Sequence, residues 1–125
     1  MHMRTIFLLT AIAAGMLHAQ DTTAGRNLWR TSVTALAVAN TLDVHSSWGK
    51  YELNRTLAGP HHEFGAQGAL MKLGLQSALL GVEYLVTRGR PSRKLYRTLS
   101  LINFGAAAGI GGVAAHNYTV PRLPR

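Results

Sequence analysis

Between residues 98 and 115 the chain carries no ionisable side chain. A helix of about 20 residues, rising about 1.5 Å per residue, is what the ~30 Å hydrocarbon layer of a bilayer asks for. Such a segment must satisfy its own backbone hydrogen bonds, and a helix does so without a partner. The run also contains Gly105, Gly109, Gly111 and Gly112. In water each of these weakens a helix by up to about 1 kcal/mol relative to alanine. In lipid they let a second backbone come close, and Gly105-Ala-Ala-Ala-Gly109 has the small-xxx-small spacing of paired membrane helices. Gly105 and Gly109 are therefore the expected helix-packing residues of a homo- or hetero-oligomer.

Composition agrees with this reading. Charged residues make up 14% of the 125-residue chain, against about 25% in soluble domains. The length allows one small domain. There is no cysteine, which excludes disulfides, thiolate metal sites and thiol catalysis.

Residues 1–19 have the form of a secretory signal peptide. Arg4 precedes an apolar run over residues 5–16, and Leu17-His18-Ala19 offers a cleavage box. The competing reading is an uncleaved N-terminal anchor. Residues 20–27 are polar and expected to be loose, with Asn27 as a helix cap. The remaining pattern predicts helices over about 28–47, 64–87 and 93–116, so the expected architecture is all-α: a small bundle of three membrane-associated helices forming one domain over residues 20–125. Trp29 and Trp48 bracket the first helix like an aromatic belt, roughly 28 Å apart at about 1.5 Å per residue. In the second, Lys72, Gln76 and Glu83 share one face, and Gly74, Ser77 and Gly81 offer small contact surfaces. Gly59-Pro60 and Gly89 to Pro91 break the chain between helices, and Ser92 can cap the third.

The formal net charge is +8. A basic balance can signal nucleic acid, but here five of the thirteen basic residues, Arg88, Arg90, Arg93, Lys94 and Arg97, crowd between two apolar segments. That pattern suits a loop at a membrane surface and anionic lipid, with no nucleic-acid partner. It also creates a conflict. A cleaved leader leaves the first helix starting outside. If all three helices then cross, the basic loop lies outside as well, against the positive-inside preference. If the first helix does not cross, the loop is cytoplasmic. A first helix lying in the interface or re-entering would reconcile the two.

Asp43, His45, Ser46 and Ser47 invite a catalytic triad, but on a helix His45 points about 200° away from Asp43. His61, His62 and Glu63 invite a metal, yet no helical ligand spacing supports one. No catalytic, cofactor-binding or metal residues are expected, and the chain is not expected to be an enzyme. The polar residues that matter are Asp43, with Asn40, Glu52 and Asn54. Carboxylates at membrane depth usually face the bundle and find partners, and Lys72 is the expected partner. Asn103 and His116 can add hydrogen bonds.

The stretch Asn40-Thr-Leu-Asp43-Val-His-Ser46, followed by Gly49 and Tyr51-Glu52-Leu-Asn54, resembles a family of small, functionally uncharacterised bacterial membrane proteins. Those share an Asp-x-x-Ser/Thr element followed by Glu-x-Asn-Pro and two further helices. The Lys72 helix and the Ala-His116-Asn117 ending are similar too, whereas Arg55 stands where the family pattern has proline. The resemblance implies three helices, implies no activity, and nominates Asp43, Ser46, Glu52 and Asn54 beside Lys72. The expected protein is thus a structural or accessory component of a bacterial inner membrane, exported through its leader. The rivals are an ion or proton carrier using Asp43, Glu52, Lys72 and Glu83, and an exported soluble helical protein.

Overall fold

A computed structural model describes residues 22–89 and 91–124. The signal peptide expected over residues 1–19, and Arg90 of the basic loop, lie outside them. The described chain is all-helical: α1 (Thr22–Ser47), α2 (Ala66–Thr87) and α3 (Arg93–Thr119) pack together. No strand occurs among the described residues, only two isolated bridges in the α1–α2 connection.

α1 begins at Thr22 rather than near residue 28, so the polar stretch before Leu28 is helix and Asn27 is not its cap. The residues there forbid no helix, and tertiary packing rewards one: Gly25 lies against the Tyr96 side chain, where an added Cβ would stand 3.3 Å from the Tyr96 Cβ. Side chains of α1 satisfy themselves along the helix. The hydroxyls of Thr31, Thr34 and Thr41 face outward and donate to the carbonyls of Asn27, Arg30 and Ala37 at 3.0, 3.0 and 2.9 Å. A hydroxyl paired in this way needs no water, which suits it to an apolar surrounding. Gly49, with φ 73°, takes the left-handed conformation that ends a helix.

The connection from α1 to α2 is pinned by backbone bonds. Gly49 N–H donates to Phe64 carbonyl at 2.9 Å, Phe64 N–H to Lys50 carbonyl at 2.8 Å, and Glu52 N–H to His62 carbonyl at 2.8 Å. Pro60–His62 forms a 3-10 turn in which His61 and His62 hold positive φ of 64° and 58°. Phe64 precedes α2 rather than starting it and is the largest fully buried side chain. Its ring lies on Gly68, where a Cβ would stand 2.5 Å from the ring and 2.6 Å from the Leu57 carbonyl oxygen. Ser92 caps α3 as its sequence suggests, accepting from Leu95 N–H at 3.1 Å in an extended conformation. α3 runs three residues past the expected end, to Thr119.

α1 and α3 run parallel and make the main interface. Ser32 meets Asn103 across a sequence separation of 71, and Gly25 meets Tyr96 at the same offset. The buried positions explain why the two helices stay in step. On α1 they include Gly25, Ser32, Ala39 and Ser46, and on α3 Tyr96, Asn103, Ser100 and Ala114, spaced by sevens and their offsets. A seven-residue repeat keeps one seam facing its partner along the whole length. Small side chains let the helices lie close.

α2 runs antiparallel to both and touches the pair less extensively. Its outward leucines are bare: Leu70 is 73% and Leu85 65% exposed. α2 and α3 are long and apolar enough to cross a membrane, with mean hydropathies of 1.3 and 1.4.

Candidate functional site: two polar clasps around an apolar cleft

α2 is held to the α1–α3 pair at two levels, and both levels are polar. The first involves the ends of α1 and α3. Lys72 Nζ donates to Asp43 Oδ2 in the single ion pair among the described residues. Asp43 is 5% exposed, so its charge has little access to water. Asn117 Nδ2 donates to Ser47 Oγ at 2.9 Å and reaches Asp43 Oδ1 at 3.5 Å. Lys50 Nζ donates to the Asn117 carbonyl, placing a cation on the C-terminal end of α3, where the helix dipole is negative. The Lys72 ammonium also stands 5.0 Å from the Phe64 ring centroid, so the connection that buries Phe64 supports the same group.

The second level lies toward the other end of the bundle. Glu83 Oε2 accepts from Trp29 Nε1 at 2.7 Å and from Asn103 Nδ2 at 2.9 Å. Asn103 Nδ2 also lies 3.3 Å from Ser32 Oγ. Trp29 packs on Tyr96 with ring centroids 5.9 Å apart. Each of the three helices thus contributes a side chain to the Glu83 carboxylate or its partners. Trp29 is therefore a bundle residue rather than only a belt residue.

Between the clasps α2 stands off and leaves an open cleft of about 690 Å³. Leu36, Leu79, Ile102 and Ile110 give it apolar walls, and Asn40, Gln76 and Gly109 also reach it. Asn40 Nδ2 is committed to the Leu36 carbonyl at 3.1 Å. The buried Gln76 Oε1 has no hydrogen-bond partner among the described residues.

Of the five residues nominated for a polar cluster, the fold brings together Asp43 and Lys72, while the Ser46 hydroxyl is spent within its own helix on the Asp43 backbone carbonyl at 3.1 Å. Glu52 and Asn54 do not join them. Glu52 Oε1 accepts from Asn54 N–H at 2.8 Å, and Asn54 Oδ1 from Thr56 N–H at 3.0 Å. These are turn-forming bonds, in which short polar side chains stand in for backbone acceptors. The hydrogen bonds expected from His116 come instead from its neighbour Asn117, and Asn103, expected at the Asp43 cluster, serves the Glu83 clasp instead. Among the described residues Gly105 and Gly109 do not pack against a helix, and neither do Gly74 and Gly81. A Cβ at any of the four would meet nothing within 4 Å. Ser77 is exposed as well. The close approach uses Gly25 and small residues of the α1–α3 seam.

The described histidines stand apart from the buried carboxylates. His45 Nδ1 lies 2.8 Å from the Tyr118 hydroxyl on the exposed side of α1, away from the Asp43 carboxylate. His62 stacks on Tyr51 at 5.7 Å. Among the described residues no three His, Asp or Glu side chains converge on a metal position. Asp43 and Glu83 are both bound to structural partners. No family model, curated protein or solved structure matches the chain.

Proposed function

We propose that this chain is an accessory integral protein of a bacterial inner membrane, delivered by its N-terminal leader and acting through helix–helix contact. All three helices cross the bilayer in this reading, which places the basic loop on the outer side, against the positive-inside preference. α2 and α3 have the length and hydropathy for it. α1 follows because it lies parallel to α3 in register from Gly25 to Ser47. A helix so paired to a spanning neighbour cannot lie flat on the surface.

One observation carries the accessory role over a transport role. Both carboxylates carried within the helices are clasped by partners from other helices, while Gly105 and Gly109 are open, with no contact that a Cβ would disturb. The polar groups are occupied in holding the bundle, and neither glycine is used by a described helix: Gly105 is without contact and Gly109 opens onto the cleft, where a neighbour could enter.

The test follows from that exposure. Gly105→Leu/Gly109→Leu should leave the fold intact and abolish self- or partner association in a membrane two-hybrid assay. Unchanged association would remove the contact hypothesis. The unpartnered Gln76 Oε1 in the cleft favours one second reading, an ion or proton path between Lys72 and Glu83. Ion or proton flux in vesicles reconstituted with the purified chain, lost in Glu83→Gln, would establish it in place of the first.

A further inference from the structure

The register of the helices gathers positive charge at one end of the bundle. α1 starts there, α2 ends there and α3 starts there. Arg26 from α1, Arg88 after α2, and Arg93, Lys94 and Arg97 from α3 are all exposed. With the offset of 71 between α1 and α3, Arg26 stands level with Arg97. None of these cations is paired with a carboxylate among the described residues. Glu83 is the nearest described acid along the helices, and it is engaged with Trp29 and Asn103.

The charge also sits at a defined depth. Arg97 is the last ionisable residue before the uncharged run of residues 98–115. Arg93, Lys94 and Arg97, with Ser92, Thr98 and Leu101, line a shallow groove of about 670 Å³. Along the helix this groove grades from cationic to hydroxyl to apolar, and Leu101 is 52% exposed. A phospholipid has the complementary order: an anionic phosphate at the surface and an acyl chain below it.

We infer that the groove at the start of α3 binds an acidic phospholipid, with its phosphate on Arg93, Lys94 and Arg97 and its acyl chain along Leu101. Arginine suits this because its guanidinium forms paired hydrogen bonds to phosphate oxygens. Long basic side chains can reach the headgroups while their stems stay against the apolar helix. The inference rests on the membrane reading above and deepens it by naming a lipid class and a site.

Trp29 reports on this end of the bundle, since it packs on Tyr96 on the α1-facing side of α3, at the level of the groove and behind it. The full chain carrying Trp48→Phe keeps Trp29 as its sole tryptophan. It would be reconstituted into vesicles containing equal fractions of brominated phosphatidylglycerol or brominated phosphatidylcholine. Each cation near an anionic surface contributes roughly fivefold to lipid association. Quenching of Trp29 should therefore favour the acidic lipid by at least about tenfold in relative affinity. Arg93→Gln/Lys94→Gln/Arg97→Gln should bring the ratio close to one with helicity retained. Arg93→Lys/Arg97→Lys should keep most of it, and raising salt to about 1 M should shrink it.

Equal quenching by the two lipids overturns the inference, as does a preference that survives neutralisation. Quenching by neither lipid means that the chain is not embedded, which defeats the membrane reading instead. A preference abolished by millimolar inorganic phosphate assigns the site to free phosphate. Binding of an oligoribonucleotide without any lipid preference assigns the basic end to nucleic acid, and both outcomes defeat the proposal.

Discussion

Lys72→Met separates a clasp from a decoration. The substitution keeps the stem and removes the ammonium, leaving Asp43 5% exposed. Its remaining side-chain donor is Asn117 Nδ2, at 3.5 Å. Removing one partner of a buried ion pair costs about 3–5 kcal/mol, because the other charge is left without compensation. The Lys72 side chain is 22% exposed, which gives water a path toward the carboxylate, so the lower end, about 3 kcal/mol, is expected. Replacing both partners, Asp43→Leu with Lys72→Met, removes the charge as well as its cation and should return the bundle to within about 1 kcal/mol of the parent. Unfolding of the purified chain in mixed micelles, titrated with dodecyl sulfate and followed by circular dichroism, would measure all four corners of the cycle. A neutral hydrogen bond between membrane helices is worth only about 0.6 kcal/mol on average. If Lys72→Met costs no more than that, or if the two substitutions simply add, the pair is not a buried charge clasp. The charge-swapped pair, Asp43→Lys with Lys72→Asp, extends the test to cells: the single Asp43→Lys should cripple accumulation and the swap should restore it.

Three further outcomes follow from the same geometry. Glu83→Leu strands the Trp29 donor, while Asn103 Nδ2 keeps Ser32 Oγ, and should cost about 1–3 kcal/mol for the one unsatisfied group. Glu83→Gln keeps an acceptor and should cost less, both read by the same micelle titration. Gly68→Ala drives a methyl against the Phe64 ring and the Leu57 carbonyl and should cost about 1–3 kcal/mol, whereas Gly74→Ala meets nothing and should be neutral or slightly stabilising in that assay. Because the chain has no native cysteine, single Thr22→Cys, Gly59→Cys, Gly89→Cys and Leu123→Cys variants can be labelled with an impermeant maleimide. Thr22 and Gly89 should react from one face and Gly59 and Leu123 from the other; co-labelling of Thr22 with Gly59 would show that α1 does not cross.

The helices themselves were legible because their signals are local. An uncharged run, a cap at Ser92 and breakers at Gly59-Pro60 and Gly89 act over a few residues, and the fold keeps all of them. The Asp43–Lys72 pair was legible for a different reason. A carboxylate in an apolar chain this poor in charge must find a cation, and Lys72 is the one on the apolar helix facing it. Orientation and partner choice were not legible. Gly105 and Gly109 carry the stronger small-residue motif, yet the α1–α3 seam forms through Gly25, Ser32 and Ser100, whose spacing becomes meaningful only once two distant segments are laid side by side. The Glu83 clasp needs Trp29, Ser32 and Asn103 from both other helices, so no single window contains it. The repeat of Ser32 and Ser46, matched by Asn103 and Asn117, was the available clue. Glu52 and Asn54 misled because turn-building residues and site-building residues are the same types.

The parallel seam also has a consequence for biogenesis. As α1 emerges from the ribosome, its matching surface lies 71 residues downstream, with the whole of α2 still to be made. An antiparallel hairpin with α2 is available earlier, but it offers α1 only the two polar contacts and an open cleft. In the membrane reading proposed above, Ser32, Asn40 and Asp43 would therefore be held at membrane depth only provisionally until α3 is synthesised. A nascent chain halted before residue 93 should be held by the insertion machinery or surrendered to membrane proteolysis, so the last helix made acts as the quality-control checkpoint for the first.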